Sequence, residues 1–366
     1  MQSLLIGLTS LTAGQAVMLF IGCVLLYLAI GQRYEPMLLL PIGFGCILAN
    51  IPFSAAVGEH GALTILFNAG ITTELFPLLI FIAIGAMIDF GILLRNPKMF
   101  LFGGAAQFGI FFTVSLATLL GYNLREAASI GIIGAADGPT SIYVATRFAR
   151  HLLAPISVAA YTYMALVPII QPAVIRYLTT LPERRIRMPY QESRISRPVM
   201  IIFPVAVTII AGIIAPVSVA LVGFLMFGNL LRVCGVTDRL SNSAQNELAN
   251  LVTILLGISI GSTMTADSFL NLSTLKIISL GLVAFTFDTA GGILFAKFLN
   301  LFTKNKINPM VGAAGISAFP MSARVIHLEA QKADPANFLL NQTISANVAG
   351  QIGSIIAGGL ILALVK

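Results

Sequence analysis

Long apolar runs broken by Pro, Gly and short charged patches make up most of the chain. Candidate membrane helices lie at about 15–31, 37–52, 75–92, 98–120 and 153–177. After a polar, basic stretch at 180–198 (TLPERRIRMPYQESRISRP), five more lie at about 199–214, 216–232, 250–265, 274–300 and 338–364. The pattern predicts ten crossings. Two segments do not fit a plain span. One, 124–149 (LREAASIGIIGAADGPTSIYVATRFA), has Gly134, Asp137, Gly138 and Pro139 at its centre; the other, 308–327 (NPMVGAAGISAFPMSARVIH), has Gly312, Gly315 and Pro320 there. Gly and Pro disfavour a continuous helix, so both read as broken or re-entrant hairpins. Non-helical backbone at membrane depth must be buried in protein or line a wet cavity, which points both segments at a site.

Composition agrees with the pattern. Of 366 residues, 57% are hydrophobic and only 10% charged, against roughly a quarter charged in ordinary globular chains. A water-soluble fold is excluded, and the net charge of +7 is too dispersed for a nucleic-acid partner. Cys23, Cys46 and Cys234 are far apart, with no CxxC pair or Cys/His cluster to suggest zinc or redox chemistry. Met1 to Gln15 carries no Lys or Arg, so it does not read as a cleavable signal peptide and is expected to stay in the mature chain.

The two halves resemble each other. Gly134-Ala135-Ala136 recurs as Gly312-Ala313-Ala314 at an offset of 178, and Ile84-Gly85 in FIAIGAMID (81–89) matches Ile260-Gly261 in GISIGSTMTAD (257–267) at an offset of 176. An odd number of crossings per copy would invert the second copy, as in secondary transporters. The expected fold is therefore an all-α polytopic membrane protein with two inverted repeats of about five transmembrane helices, each carrying a hairpin. Residues 1–178 form the first repeat with hairpin 124–149, residues 179–198 a basic cytoplasmic linker, and residues 199–366 the second repeat with hairpin 308–327. Placing the linker in the cytoplasm leaves 16 Lys/Arg inside (Arg194 among them) and five outside: Arg125, Arg147, Arg150, Lys276 and Lys366. That division predicts both termini outside, the first hairpin dipping from outside and the second from the cytoplasm.

Candidate chemistry gathers at the breaks. A carboxylate at membrane depth is costly unless it meets a cation or a proton, so Asp137 reads either as a ligand for a hard cation such as Na+ or as a helix cap before Gly138-Pro139. Asn308 and Ser317 offer neutral oxygens; Asn308 before Pro309 also reads as an N-cap. Arg324 is either an anion clamp or a headgroup anchor. Tyr161 and Tyr163 share one span, and Tyr163 lies mid-span, where its hydroxyl needs a partner. Asn347 lies in the equivalent last span. Asp288 (FTFDTAGG) is either a second ion ligand or a structural partner for a polar helix, and the sequence leaves the choice open.

At GIIGAADGPTSIYVATRFA, AAYTYMALVPIIQPAVIR, NPMVGAAGISAFPMSAR and DPANFLLNQTISANVAGQIGS the chain closely resembles the beta subunits of sodium-pumping, biotin-dependent carboxylic acid decarboxylases of the oxaloacetate, methylmalonyl-CoA and glutaconyl-CoA type. The likeness runs from about Leu38 to Ile361. It implies a multi-pass protein of a prokaryotic cytoplasmic (inner) membrane that removes CO2 from carboxybiotin and exports Na+, with proton uptake. It implies Asp137, Asn308 and Asn347 as Na+ ligands, with Ser317 and Tyr163 beside them in Na+ binding or proton delivery. Arg324 is the residue implied to meet the carboxybiotin carboxylate, and Gly138, Pro139, Gly312 and Gly315 shape the site. The implied partners are a biotin carrier protein or domain, since no biotin is expected on this chain, a carboxytransferase alpha subunit, a small gamma or delta membrane subunit and further copies in a homotrimer. Broken polar helices and inverted repeats would serve equally well in a Na+/carboxylate symporter without decarboxylase chemistry. A symporter would need neither carrier nor carboxytransferase.

Overall fold

The ten apolar runs are largely helical in the computed structural model, which describes residue 7 and residues 9–189, 195–214 and 216–365; the run at 75–92 breaks at Ile88-Asp89 and the one at 98–120 at Ala106-Gln107. Arg194 and Lys366, both used in the charge division, lie outside the described residues. Among the described residues there is no strand, and seven helices are long and apolar enough to cross a membrane: Ala13–Ile30, Pro97–Leu119, Arg150–Leu178, Arg197–Ile214, Pro216–Val233, Leu272–Phe302 and Leu340–Leu364. Ala62–Thr72 and Leu75–Met87 form an eighth apolar unit bent by 63°, and Pro36–Asn50 is a shorter apolar helix. The arm at 62–72 and the helical stretch 238–248 leading into Ala249–Ser262 were not legible as spans, because their hydropathy is interrupted by polar residues. The second broken element also runs on to Ala333 rather than ending at 327.

Capping explains several helix starts. Thr12 with Gln15 and Asn123 with Glu126 each form a reciprocal capping box, and Asn271 accepts the Thr274 N–H at 2.8 Å. These side chains satisfy first-turn N–H groups that have no partner inside their own helix.

Packing between the halves is reciprocal. Pro36–Asn50 lies against Ala249–Ser262, and Leu75–Met87 lies against Val219–Val233. Glycines set both crossings: a Cβ on Gly45 would strike the Ile258 carbonyl and one on Gly261 the Ile42 carbonyl, while Gly85 and Gly228 stand the same way to Leu225 and Ile82. Small residues let membrane helices approach backbone to backbone. Beyond each crossing one helix breaks, and an asparagine of its neighbour covers the freed carbonyl. Asn229 Nδ2 donates to Ile88 O at 2.8 Å, and Asn50 Nδ2 donates to Met264 O at 2.6 Å. Arg232 Nη1 adds bonds to Ala86 O at 3.2 Å and Met87 O at 2.7 Å.

Both hairpins occupy the interior. Residues 127–146 and 308–318 are buried without interruption, wrapped by Arg150–Leu178, Leu272–Phe302 and Leu340–Leu364. The core is therefore built around the irregular backbone, which the surrounding helices screen from lipid.

Candidate functional site

Hairpin one rises through residues 124–135, turns at Ala136 and descends as Gly138–Phe148. Ala136 takes a left-handed φ of 51°, a conformation that costs a residue with a Cβ about 1 kcal/mol or more and aims the next side chain back across the turn. That side chain is Asp137, only 3% exposed. It caps the descending helix: Oδ1 accepts the Thr140 N–H at 3.2 Å, and Oδ2 accepts the Thr140 hydroxyl at 2.7 Å. The cap reading of the sequence is thus correct, but the carboxylate has further partners. The last helix supplies Gln351 Nε2 at 3.1 Å and the Ser354 hydroxyl at 3.0 Å, both donating to Oδ2.

Hairpin two meets this point through its own break. The Ser317 N–H donates to Ala135 O at 3.0 Å, and the Ser317 hydroxyl donates to Gly350 O, also at 3.0 Å. Asn347 Nδ2 donates to Ile316 O at 2.6 Å, while Asn347 Oδ1 is buried with no partner among the described residues. Asp137, Ser317 and Asn347 therefore stand along one seam, where the two breaks face the last helix. The donors on Asp137 are all neutral, and no Lys or Arg ion pair to it occurs among the described residues. A buried carboxylate of this kind attracts a cation or a proton, and the oxygens beside it are hard ligands. Within the seam, Asn347 Oδ1 is a buried acceptor with no partner among the described residues.

Gln351, Ser354 and Thr140 were not picked out from sequence. A signal existed: Asn347, Gln351 and Ser354 recur at i, i+4 and i+7, a polar stripe on an otherwise apolar helix.

Two expected residues are placed elsewhere. Asn308 does not join Asp137. Its Nδ2 is spent on Arg184 O at 2.9 Å and Ile186 O at 2.8 Å, and its Oδ1 accepts the Met310 N–H at 3.0 Å, so it anchors the linker at the root of hairpin two. Gln342, near the start of the last helix, holds Met188 O and Pro189 O of the same linker. Gln351 and Ser354 lie nine and twelve residues further on, about 14–18 Å along the helix at 1.5 Å per residue. Tyr163 is also outside the seam: its hydroxyl donates to Ile278 O, and its ring stacks on Phe285 at 6.5 Å. The tyrosine beside Asp137 is Tyr161, whose ring fills the space where Gly138 would carry a Cβ.

Arg324 lies on the outgoing arm of hairpin two and is exposed, with no hydrogen bond or ion pair to its guanidinium among the described residues. The neighbouring charge is Glu35, in the loop before Pro36. Burial pushes the Glu35 carboxyl above its ordinary value, against the pull of the Arg324 guanidinium. Hairpin two is fixed on its other side by Gln171, which donates to Ala313 O at 2.8 Å, and by a two-point Arg176–Glu329 pair with both contacts at 3.0 Å.

Residues 14–365 match the family model described as Na+-transporting oxaloacetate decarboxylase beta subunit. The chain is 51% identical to the methylmalonyl-CoA decarboxylase subunit beta of Veillonella parvula, over 98% of this chain and 95% of that protein. It is 50% identical to the glutaconyl-CoA decarboxylase subunit beta of Acidaminococcus fermentans, with the same coverage. The oxaloacetate decarboxylase beta chain of Klebsiella pneumoniae is 43% identical, over 98% of this chain and 96% of that protein.

Proposed function

The chain belongs to the beta-subunit family of Na+-transporting decarboxylases, and we propose that its seam at Asp137 carries Na+ across the membrane in step with loss of CO2 from carboxybiotin brought by a partner. The observation that carries this reading is the Asp137 carboxylate itself, buried with neutral donors only and touching both the descending arm of hairpin one and the last helix. Na+ is the cargo. Its ligands are Asp137, the unpartnered Asn347 Oδ1 and the Ser317 hydroxyl, with Thr140, Gln351 and Ser354 holding the carboxylate in place. Asp137 is ionised when Na+ occupies the seam and takes a proton when it is empty, so one carboxyl carries either ion.

Arg324 performs the recognition step. Its free guanidinium pairs with the carboxylate of carboxybiotin, as guanidinium does with planar oxyanions. Breaking the N–CO2 bond leaves the electron pair on the biotin nitrogen, which accepts a proton while CO2 departs. A proton displaced from Asp137 by Na+ supplies that need and links the chemistry to ion movement. Export of one charge against 100 mV costs about 2.3 kcal/mol, so the seam must close to one side before it opens to the other.

The reciprocal packing of the two halves and their matched glycine crossings support two copies of one inverted unit, with a hairpin in each. The basic linker then lies in the cytoplasm with the mouth that holds Arg324, the side from which a soluble biotin carrier arrives. The partners of such a machine are that carrier, a carboxytransferase subunit that selects the acid, and a small membrane subunit, around a trimer of this chain.

Asp137→Asn tests the reading. In reconstituted vesicles the variant is expected to lose decarboxylation-driven uptake of radioactive Na+; uptake at the wild-type level would end the mechanism.

A further inference from the structure

Asp288 lies near the middle of the Leu272–Phe302 helix and is fully buried, yet it has no part in the seam. Its Oδ1 accepts the Ile110 N–H at 3.0 Å. Ile110 belongs to the first turn of a helix that restarts at Phe108 after the turn at Ala106-Gln107, and first-turn N–H groups have no partner within their own helix. Oδ1 therefore caps one broken helix from another. Oδ2 has no partner among the described residues. It faces hairpin one: a Cβ placed on Gly134 would come within 2.6 Å of it, as one on Gly109 would of Oδ1. The carboxyl is thus clamped between two glycine backbones.

No charge compensates it. The titratable groups on its own helix and on the packed elements are engaged elsewhere or at the ends: Tyr161 against Gly138, Tyr163 on Ile278 O, Arg176 on Glu329, Lys297 on Glu183, Glu126 on Asn123 and His151, and Arg125, Tyr177 and Lys276 exposed. No ion pair to Asp288 occurs among the described residues. An ionised carboxylate with one bare buried oxygen costs several kcal/mol. Na+ needs a shell of several oxygens, whereas a proton needs only the one bare oxygen that Asp288 presents.

We propose that Asp288 is a proton-binding site separate from the Asp137 seam: a neutral carboxylic acid in this conformation, capping Phe108–Leu119 with Oδ1 and presenting its other oxygen to Gly134 of hairpin one. Displacement of hairpin one uncovers Oδ2, so proton occupancy at Asp288 depends on the position of the element that carries Asp137. The site stands whether or not Asp137 binds Na+, because its protonation is read without turnover.

Infrared spectroscopy of the full-length protein in lipid, at saturating Na+ and near-neutral pH, is the test. The C=O stretch of a protonated carboxyl is expected in the wild type, retained in Asp137→Asn and lost in Asp288→Asn, where the amide oxygen can still cap Ile110. Absence of the band from the wild type, or its full survival in Asp288→Asn, overturns the proposal. Should the asparagine variant not fold, Asp288→Glu decides: a shifted protonated-carboxyl band supports the site and a missing one refutes it.

Discussion

The Ser317 N–H and the Ala135 carbonyl meet at 3.0 Å, a single main-chain rung that joins the two broken elements of the protein. The carbonyl on one side stands two residues before Asp137, and the hydroxyl on the other is bonded to Gly350 O of the last helix. Motion of either hairpin is therefore felt at the carboxylate.

Gly350 allows that rung to form. A Cβ there would lie 2.7 Å from Ile316 O and closer still to Gly315 O, so Gly350→Ala must push hairpin two off the last helix. Overpacking of this kind costs about 1–3 kcal/mol. A lower thermal unfolding midpoint and weakened protection by Na+ are expected. Gly104→Ala, where a Cβ meets nothing within 4 Å, is the control and should leave both unchanged.

Ser354→Ala and Gln351→Leu each remove one neutral donor from Asp137 Oδ2. Hydrogen bonds to a charged group are worth about 1.5–3 kcal/mol, and losing one lets a proton compete better for the carboxylate. The Na+ concentration for half-maximal turnover should rise roughly tenfold in each variant. An unaltered Na+ dependence would separate these side chains from the ion.

For Arg324, truncation should divide recognition from ion binding. Arg324→Ala is expected to reduce kcat/KM for carboxybiotin by roughly tenfold to a hundredfold, the value of a charged hydrogen bond. Protection of the folded protein by Na+ should persist. Wild-type turnover in the variant would remove Arg324 from the reaction.

Acid should loosen the linker. Hydrogen bonds from Arg187 hold the Asp334 carboxyl below its ordinary value of 3.8, with the Ala336 N–H helping. A carboxyl depressed on folding contributes its stability above its unfolded value, and that contribution fades as the pH falls through the folded one. Unfolding midpoints of wild type and Asp334→Asn should therefore differ at neutral pH and converge below 3.8. A difference that persists in strong acid would deny the pair any role.

Much of this architecture was legible in the sequence, and the limits of that reading have physical causes. Spans and breaks show because hydropathy, Gly and Pro act locally. Asp137 shows because a carboxylate in apolar surroundings must find donors, and its place before Gly138-Pro139 marks the start of a helix. Nearness to a hairpin in sequence does not tell its root, where Asn308 stands, from its turn. Tyr161 and Tyr163, two residues apart on one helix, point about 200° apart, and no periodicity in so apolar a span says which one faces the seam. Gln351 and Ser354 become informative only once the last helix is known to run beside hairpin one.

The stretch up to Pro189 is encoded with the first half but gripped by the second. Asn308 and Asn337 both hold the carbonyls of Arg184 and Ile186, Arg185 holds Ala333 O, and Lys297 pairs with Glu183 at 3.0 Å. Genetic origin and mechanical allegiance thus differ. If the gene were divided at 178, the downstream product would carry its own brace; divided after Pro189, the brace would stay on the upstream piece and clasp the downstream one through these bonds.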